Sequence, residues 1–466
     1  MIALTLAEVA AATHGRVVGG ANAGDLTIHD LTADSRSVPH GAAFLALRGD
    51  VHDGHDHVRA AVAAGAVAAI VEREDSLGEL PGVVVADGQA ALAAVAGEVR
   101  RRVDAKVVAI TGSVGKTTTK DLVAAAVGSQ RRVVAARASF NNEVGVPLTL
   151  LRLRRDTEVA VVEIGARGRS HIARMIPIIR PDVAVVTAVA GAHLEQFGNL
   201  DGVAESKAEL VEGLGAGGVA ILNADDPLVA AMARRHAGRS VLVSACGNPA
   251  ADLVAERVTV DECARASFEV VGDGGWIAVR LPIAGVHHVA NALLALAAAQ
   301  AVGVALDAAA AALADATVSA WRSEVVVAGG VVVLNDAYNA NVASMLAALD
   351  TLAAQQVPGR RWAVLGVMAE LGERHHEAAH REVGAASVAA GVDQLVVVGE
   401  GASGIAEGAR AAGHRAVLQV GTADDAVAAL GAVRPGDAVL CKASRVAGLE
   451  RVAQALVSLH GQGLAT

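Results

Sequence analysis

The stretch "VVAITGSVGKTTTKDL", Val107 to Leu122, constrains the fold more than any other part of the chain. An apolar run of strand character breaks into glycine and then opens a helix with Lys116, Thr117 and Thr118. Strand, tight turn and helix N-terminus in that order make a phosphate cradle, because backbone N–H groups and the positive end of the helix converge on one point. Gly112 and Gly115 allow close approach, Lys116 reaches the terminal phosphates as a point charge, and the Thr117 hydroxyl suits Mg²⁺. Gly112, Ser113, Val114, Gly115, Lys116, Thr117 and Thr118 therefore form the expected nucleotide loop. A usual P-loop carries a further glycine five residues before Gly115, where Ile110 stands here.

Such a loop sits at the end of a buried parallel strand, which selects α/β architecture. With 466 residues the chain has room for roughly three domains of about 150 residues each. Apolar residues make up 53% and aromatics 2%, so the interiors must be built from Ala-rich helices and Val-rich strands. Residues 1–103 alternate short strands ("AAFLAL", "AVAAIVE", "GVVVAD") with helices and form a small N-terminal α/β domain, closed by the polar turn "RRRVDAK". Residues 104–316 carry the loop and the strands "EVAVVEIGA", "DVAVVTAV" and "GVAILNADDP", as in a P-loop parallel sheet of ATPase type. Residues 317–466 repeat the βα rhythm with "RWAVLGV", "QLVVVGE", "RAVLQV" and "DAVLCKA" and form a Rossmann-like domain.

A net charge of −10 lacks the basic footprint of a nucleic-acid binder. Cys246, Cys263 and Cys441 are widely spaced, with no CxxC, so neither a disulfide framework nor a zinc site is expected. A reducing cytoplasm fits. The N-terminus "MIALTLAEVAAATHG" reads as a first helix rather than a signal peptide, and the apolar run from Ala290 reads as a buried helix rather than a membrane span. A monomer without transmembrane segment is expected. Only five of the 39 basic residues are lysines (Lys106, Lys116, Lys120, Lys207, Lys442): either chance survivors, as Lys106 and Lys120 beside the loop can equally be, or places that require a compact ammonium or a reactive amine.

Further candidates lie at strand ends. Glu163 in "VVEIGARG" sits among apolar neighbours and suits a metal or a hydrogen-bonding partner. His193 in "AVAGAHLEQFG" follows the next strand, at the carboxyl end where open α/β sheets bind ligands. Lys207, between Glu205, Glu209 and Glu212, reads from its spacing as an exposed i,i±4 partner. "LNDAYNANVASM" places Asp336, the single tyrosine Tyr338, Asn339 and Asn341 in a binding-loop position, and Arg322 is a phosphate candidate near the hinge.

Read together, "DSRSVPHGAAFLALRGDVHDGHDHV", "TGSVGKTTTK", "FNNEVGVPLTLL", "EIGARGRSHI", "GAHLEQFG", "GVHHVANALLALA", "DAYNANVASM", "VLGVMAELG" and "CKASR" resemble the Mur ligases of peptidoglycan synthesis, in order from Asp34 to Arg445. Within that family the chain is similar to the branch that acts on UDP-N-acetylmuramoyl-tripeptide and D-alanyl-D-alanine. The resemblance implies an ATP-dependent ligase forming a C–N bond, with ATP and Mg²⁺ as cofactors. It also implies an acyl phosphate made from the peptide carboxylate and attacked by the dipeptide amine.

By the same resemblance, Lys116, Glu163, His193 and Lys207 are the catalytic residues. Thr117, Glu163, His193 and a carbamylated Lys207 hold metal. Asn291, Arg322, Asp336 and Asn339 bind the nucleotide. Ser35 and Arg36 match the uridine-diphosphate site, Asn141 and Asn142 the muramoyl-peptide side, and Lys442, Ser444 and Arg445 a motif near the acceptor site. The chain departs from the family where His288 replaces an asparagine, Val367 an aspartate, Val342 a proline and Ala443 a glycine. The sister ligase that adds lysine or diaminopimelate is disfavoured by "DAYNAN" and "ELG", and a folylpolyglutamate synthetase by "DSRSVPHGAAFLALRG". A P-loop switch or kinase needs no such N-terminal motifs, and a scaffold would not keep Lys116, Glu163 and Lys207 together.

Overall fold

A computed structural model describes residues 1–49, 51–166, 168–191, 197–272 and 275–461. They fall into two compact units, Met1–Ala109 with Arg131–Gly165 and Ile172–Val183, and Ile110–Gln130 with Ala166–His171 and Ala184–Thr466. The chain leaves the first unit inside the strand Lys106–Thr111, the one that ends in the glycine loop.

In the first unit, Ala42–Leu45, Ala68–Val71 and Gly82–Val84 are the three strands expected from the sequence. Asp30–Thr32 pairs parallel with the first of them, and Arg16–Val18 closes the other edge antiparallel, giving five strands. The N-terminal segment forms the helix Leu6–Thr13, whose Thr5 and Glu8 make a reciprocal capping box. Helix Gly88–Arg102 starts on Asp87, whose carboxylate accepts from Ala90 N–H at 2.8 Å, and packs on Gly145–Leu151. Val133–Ala135 and Val159–Glu163 pair in parallel, the second ending on Glu163.

The second unit departs from an all-parallel expectation. Val219–Asn223, Arg239–Ser244 and Leu253–Val260 are parallel, but Arg265–Gly272 and Gly275–Ala284 then add as antiparallel strands. Their patterning explains the switch: Ala266, Phe268 and Val270 are buried while their neighbours alternate outward, as one solvated face requires. The apolar run from Ala290 lies in the helix His288–Ala301, buried along nearly its whole length.

A separate six-stranded sheet follows, in which Val331–Asn335, Ala438–Lys442, Arg361–Gly366, Gln394–Val398 and Val417–Val420 are parallel neighbours and Glu324–Ala328 is an antiparallel edge. Ala363, Leu365, Leu395, Val397 and Leu440 feed the core on one face, under helices Val342–Ala353, Glu373–Ala389 and Ser403–Ala411. Trp362, Val364, Val396, Val398 and Val439 feed the other, under Ala423–Ala429 and Glu450–Gly461. Two covered faces account for strands that read as unbroken apolar runs. Among the described residues no helix is long and apolar enough to cross a membrane.

Candidate active site

The loop after Lys106–Thr111 is shaped by contacts that only glycine permits. A Cβ on Gly112 (φ 148°) would collide with Thr187 Oγ1, and one on Gly115 (φ 80°) would lie 2.6 Å from Asn291 Oδ1. The Thr187 hydroxyl donates to Val114 O at 2.5 Å, while Ser113 donates through its N–H to Ala188 O and through its hydroxyl to Ala190 O. Gly115 is the N-cap of helix Lys116–Gly128, and no side chain caps that end. Its first N–H groups therefore remain available to an anion. Lys116 Nζ folds back on Gly112 O (2.7 Å) and Ser113 O (3.2 Å), carbonyls a phosphate would displace.

Asn291 connects this loop to the helix it heads. Thr119 Oγ1 donates to Asn291 Oδ1 at 3.2 Å, so the carboxamide NH₂ points the other way, 3.1 Å from His288 Nδ1. Burial, with His287 adding to it, holds His288 well below the usual histidine value of 6.5, so its ring is neutral. Nδ1 accepts and the proton sits on Nε2, which is buried without a hydrogen-bond partner among the described residues. The position that departs from the family thus keeps a donor, on imidazole instead of carboxamide.

Lys207 overturns its reading as an exposed partner: it is 4% exposed on the helix Leu200–Glu212. Glu205 and Glu212 pair with Arg235 instead, and Glu209 accepts from Ser170 N–H at 2.6 Å. Burial first, then the charge of Lys116, lowers the Lys207 amine from 10.5 to about 7, with Glu209 opposing. Phe197 lies under its Nζ at 5.9 Å. His193 lies outside the described residues.

In the first unit, Glu163 is 1% exposed at the end of its strand. Asn141 Nδ2 donates to its Oε1 at 2.7 Å, and its Oε2 has no hydrogen-bond partner among the described residues. Asn142 is differently engaged: its Oδ1 accepts from Val144 and Gly145 N–H, holding the start of helix Gly145–Leu151. Arg36 is exposed and grips Asp34 through two bonds of 2.8 and 2.9 Å, beside Ser35. That guanidinium brings the Asp34 carboxyl to about 2.

The six-stranded sheet gathers the remaining candidates at its carboxyl ends. Asp336 follows the strand Val331–Asn335, and its oxygens accept from Ser323 N–H (3.0 Å) and from Lys442 Nζ (2.6 Å), the last residue of the neighbouring strand. Lys442, 2% exposed, also donates to Asn339 O at 3.0 Å. Ser444 Oγ donates to Asn339 Oδ1 at 3.2 Å. The Lys442 ammonium, which the resemblance puts in a motif near the acceptor site, is bonded here to Asp336 and a carbonyl. Asp336→Asn is expected to destabilise the protein by about 3 kcal/mol, because a buried ammonium loses its anion; a denaturant titration of the two proteins measures it.

Arg322 stacks over Tyr338 at 4.1 Å and its Nε is buried without a hydrogen-bond partner among the described residues. Its neighbours Trp321 (φ 61°) and Ser323 (φ 47°) adopt a left-handed backbone that such residues seldom take. Tyr338 N–H to Trp321 O, Ser323 N–H to Asp336 and Arg445 stacked on Trp321 at 3.9 Å hold that turn. Asp121 on the phosphate-loop helix accepts from Ser319 N–H at 2.7 Å, tying the start of the same turn to that helix. His287 stacks on His288 with ring centroids 3.9 Å apart, adjoining Asn291. Thr187, which meets the loop from 73 residues away, and Asp226, which accepts from Val189 N–H at 2.7 Å, were not foreseen, since they carry no local motif.

Comparison with known proteins follows this geometry. The Mur ligase family catalytic domain matches residues 27–110, the Mur ligase middle domain 110–299, and the Mur ligase glutamate ligase domain 321–445. The chain is 41% identical to the UDP-N-acetylmuramoyl-tripeptide–D-alanyl-D-alanine ligase of Mycobacterium tuberculosis H37Rv, over 98% of each chain. Among solved structures it is similar to MurF from Acinetobacter baumannii, with TM-score 0.88, 30% identity and 98% and 99% of the two chains covered. It is also similar to MurF ligase from Thermotoga maritima in complex with ADP, with TM-score 0.81, 27% identity and 94% and 99% covered.

Proposed function

The chain belongs to the Mur ligase family, and on that premise we propose that it joins D-alanyl-D-alanine to UDP-N-acetylmuramoyl-tripeptide in an ATP-dependent amide ligation. The observation that carries this reading is the 41% identity, end to end, with a ligase of that name. It has the three-domain α/β fold of that family, and we place the boundaries at residues 1–103, 104–316 and 317–466. The reaction belongs to the cytoplasm, where ATP and the UDP-linked substrate are made.

A carboxylate is a poor acyl donor, so the γ-phosphoryl of ATP first passes to the terminal carboxylate of the tripeptide. The resulting acyl phosphate is attacked by the dipeptide amine, releasing phosphate and forming the amide. Lys116, freed from Gly112 O and Ser113 O, pairs with the terminal phosphates, and the uncapped helix behind it neutralises charge that develops during transfer. Asn291, Arg322, Asp336 and Asn339 hold the nucleotide, with the Arg322 guanidinium pre-set by Tyr338. Ser35 and Arg36 receive the uridine diphosphate end, and Asn141 and Asn142 the muramoyl peptide. Ser444 and Arg445 flank the incoming amine, and Lys442 acts there by holding Asp336 in place.

Mg²⁺, when bound, screens the repulsion between ATP and the carboxylate; Thr117, Glu163, His193 and a carbamylated Lys207 are the residues proposed to hold it, consistent with the unpartnered oxygen of Glu163. Phosphate release from ATP by the purified chain tests the reading. It is expected to need both UDP-N-acetylmuramoyl-tripeptide and D-Ala-D-Ala; release driven instead by diaminopimelate or lysine with the UDP-linked dipeptide would overturn it.

A further inference from the structure

One buried imidazole, His380 on helix Glu373–Ala389, lies outside everything assigned above. It is 0% exposed, and both nitrogens are used. Nδ1 lies 2.6 Å from His376 O, the carbonyl one turn earlier, and so donates to it. The proton therefore sits on Nδ1, and Nε2 accepts the N–H of Met368 at 3.0 Å. Burial is the main cause that lowers its pKa from 6.5, which keeps the ring in this neutral, accepting form. Gly404, on the helix packed alongside, leaves room for the ring: a Cβ there would stand 2.9 Å from that of His380.

Met368 belongs to the segment that leaves the strand Arg361–Gly366 at its carboxyl end. The residues of this segment are held by neighbouring elements. Val367 O accepts from Ser444 N–H at 2.9 Å, Ala369 N–H donates to Ser444 Oγ at 3.0 Å, and Glu370 Oε2 accepts from Asn339 Nδ2 at 3.3 Å. Val367 and Ala369 are thus held by Ser444, Glu370 is bonded by Asn339, and Met368 by His380. Without an acceptor at Nε2, the Met368 N–H is buried and unpaired, and the segment must move to rehydrate it. Ala369 moves with it, and with that residue the Ser444 hydroxyl it orients.

We infer that His380 is a positioning residue for the acceptor side of the reaction, acting through Met368 on the segment that orients Ser444. The inference rests on the ligase reading given above. The side chain touches no reactant; it sets how well the site is formed before D-Ala-D-Ala arrives.

The test is steady-state phosphate release by the full chain with ATP, UDP-N-acetylmuramoyl-tripeptide and D-Ala-D-Ala. His380→Phe, which keeps the bulk and loses the acceptor, is expected to raise KM for D-Ala-D-Ala about tenfold while kcat and KM for the UDP-linked substrate stay within about threefold. His380→Gln, whose carbonyl can accept from Met368, is expected to restore KM to within about threefold of the native value. An unchanged KM in His380→Phe, equal impairment by both variants, or an equal loss for every substrate would overturn the assignment. If His380→Phe does not fold, hydrogen exchange on the native enzyme decides. With a non-hydrolysable ATP analogue and the UDP-linked substrate bound, D-Ala-D-Ala is expected to slow exchange at residues 367–370, and indifference there overturns the assignment. A native enzyme idle with all three substrates would overturn the ligase reading itself, and this inference with it.

Discussion

Lys116→Ala is expected to lower kcat for amide formation at least about 10³-fold, or about 4 kcal/mol of transition-state stabilisation, while the thermal midpoint stays within about 2 °C of the native value. The two halves of that expectation have different origins. In the structure Nζ is satisfied by two carbonyls of its own loop, at Gly112 and Ser113, and these can turn to water when the ammonium is gone. Folding is therefore expected to lose little. The transferring phosphoryl group, by contrast, loses the one cation on this loop, and the helix N-terminus alone cannot replace a full charge. Circular dichroism with a quenched-flow or coupled phosphate assay measures both halves, and near-native turnover would remove the phosphate-cradle assignment.

Lys207→Ala is expected to cost about 10²-fold or more in turnover, partly recovered by formate or acetate, which can stand in for the carbamate proposed at this lysine. Lys207→Arg is expected not to recover, because a guanidinium stays protonated and cannot add carbon dioxide. The chemistry needs a neutral amine, and the structure supplies one: burial, with Lys116 nearby, brings this amine to about 7. Stability gives an independent reading of the same group. The unfolded amine titrates near 10.5 and the folded one near 7, so between those values the unfolded chain holds a proton that the folded chain does not. The cost to the fold is complete below pH 7 and fades as pH approaches 10.5. Lys207→Met is therefore expected to raise the thermal midpoint over the native, carbamate-free protein at pH 6.5, and to make little difference at pH 10. Equal shifts at both pH values would contradict the buried amine.

Much of the site was readable along the chain wherever its chemistry is local. The phosphate loop needs consecutive residues, and "TGSVGKTTT" folds as its glycines and threonines dictate, with Ile110 accommodated as an ordinary strand residue at 0% exposure. Glu163 was marked by apolar neighbours, and burial follows from the strand they form. The antiparallel strands between Arg265 and Ala284 were not read, because a strand with one solvated face alternates inward and outward residues and lacks the unbroken apolar run that marks the buried parallel strands.

Lys207 shows where local reading fails. Three glutamates at helical spacing describe a solvated face, and the same spacing also fits the helix found; only the partner chosen differs. Arg235, 23 and 30 residues away, takes two of the acids, and the lysine turns inward beside Phe197. For Lys442 the partner was equally illegible: Asp336, 106 residues earlier, meets its ammonium only when the two strands pair.

The sequence by itself determined the loop, the alternation of strands and helices, and the family, because these depend on residue order and on periods of two and 3.6. Tertiary structure alone decided which charges are buried, which are paired, and which nitrogen of His288 and His380 carries the proton. Those properties depend on desolvation and on donors and acceptors that meet only when distant segments pack, and no local pattern encodes them.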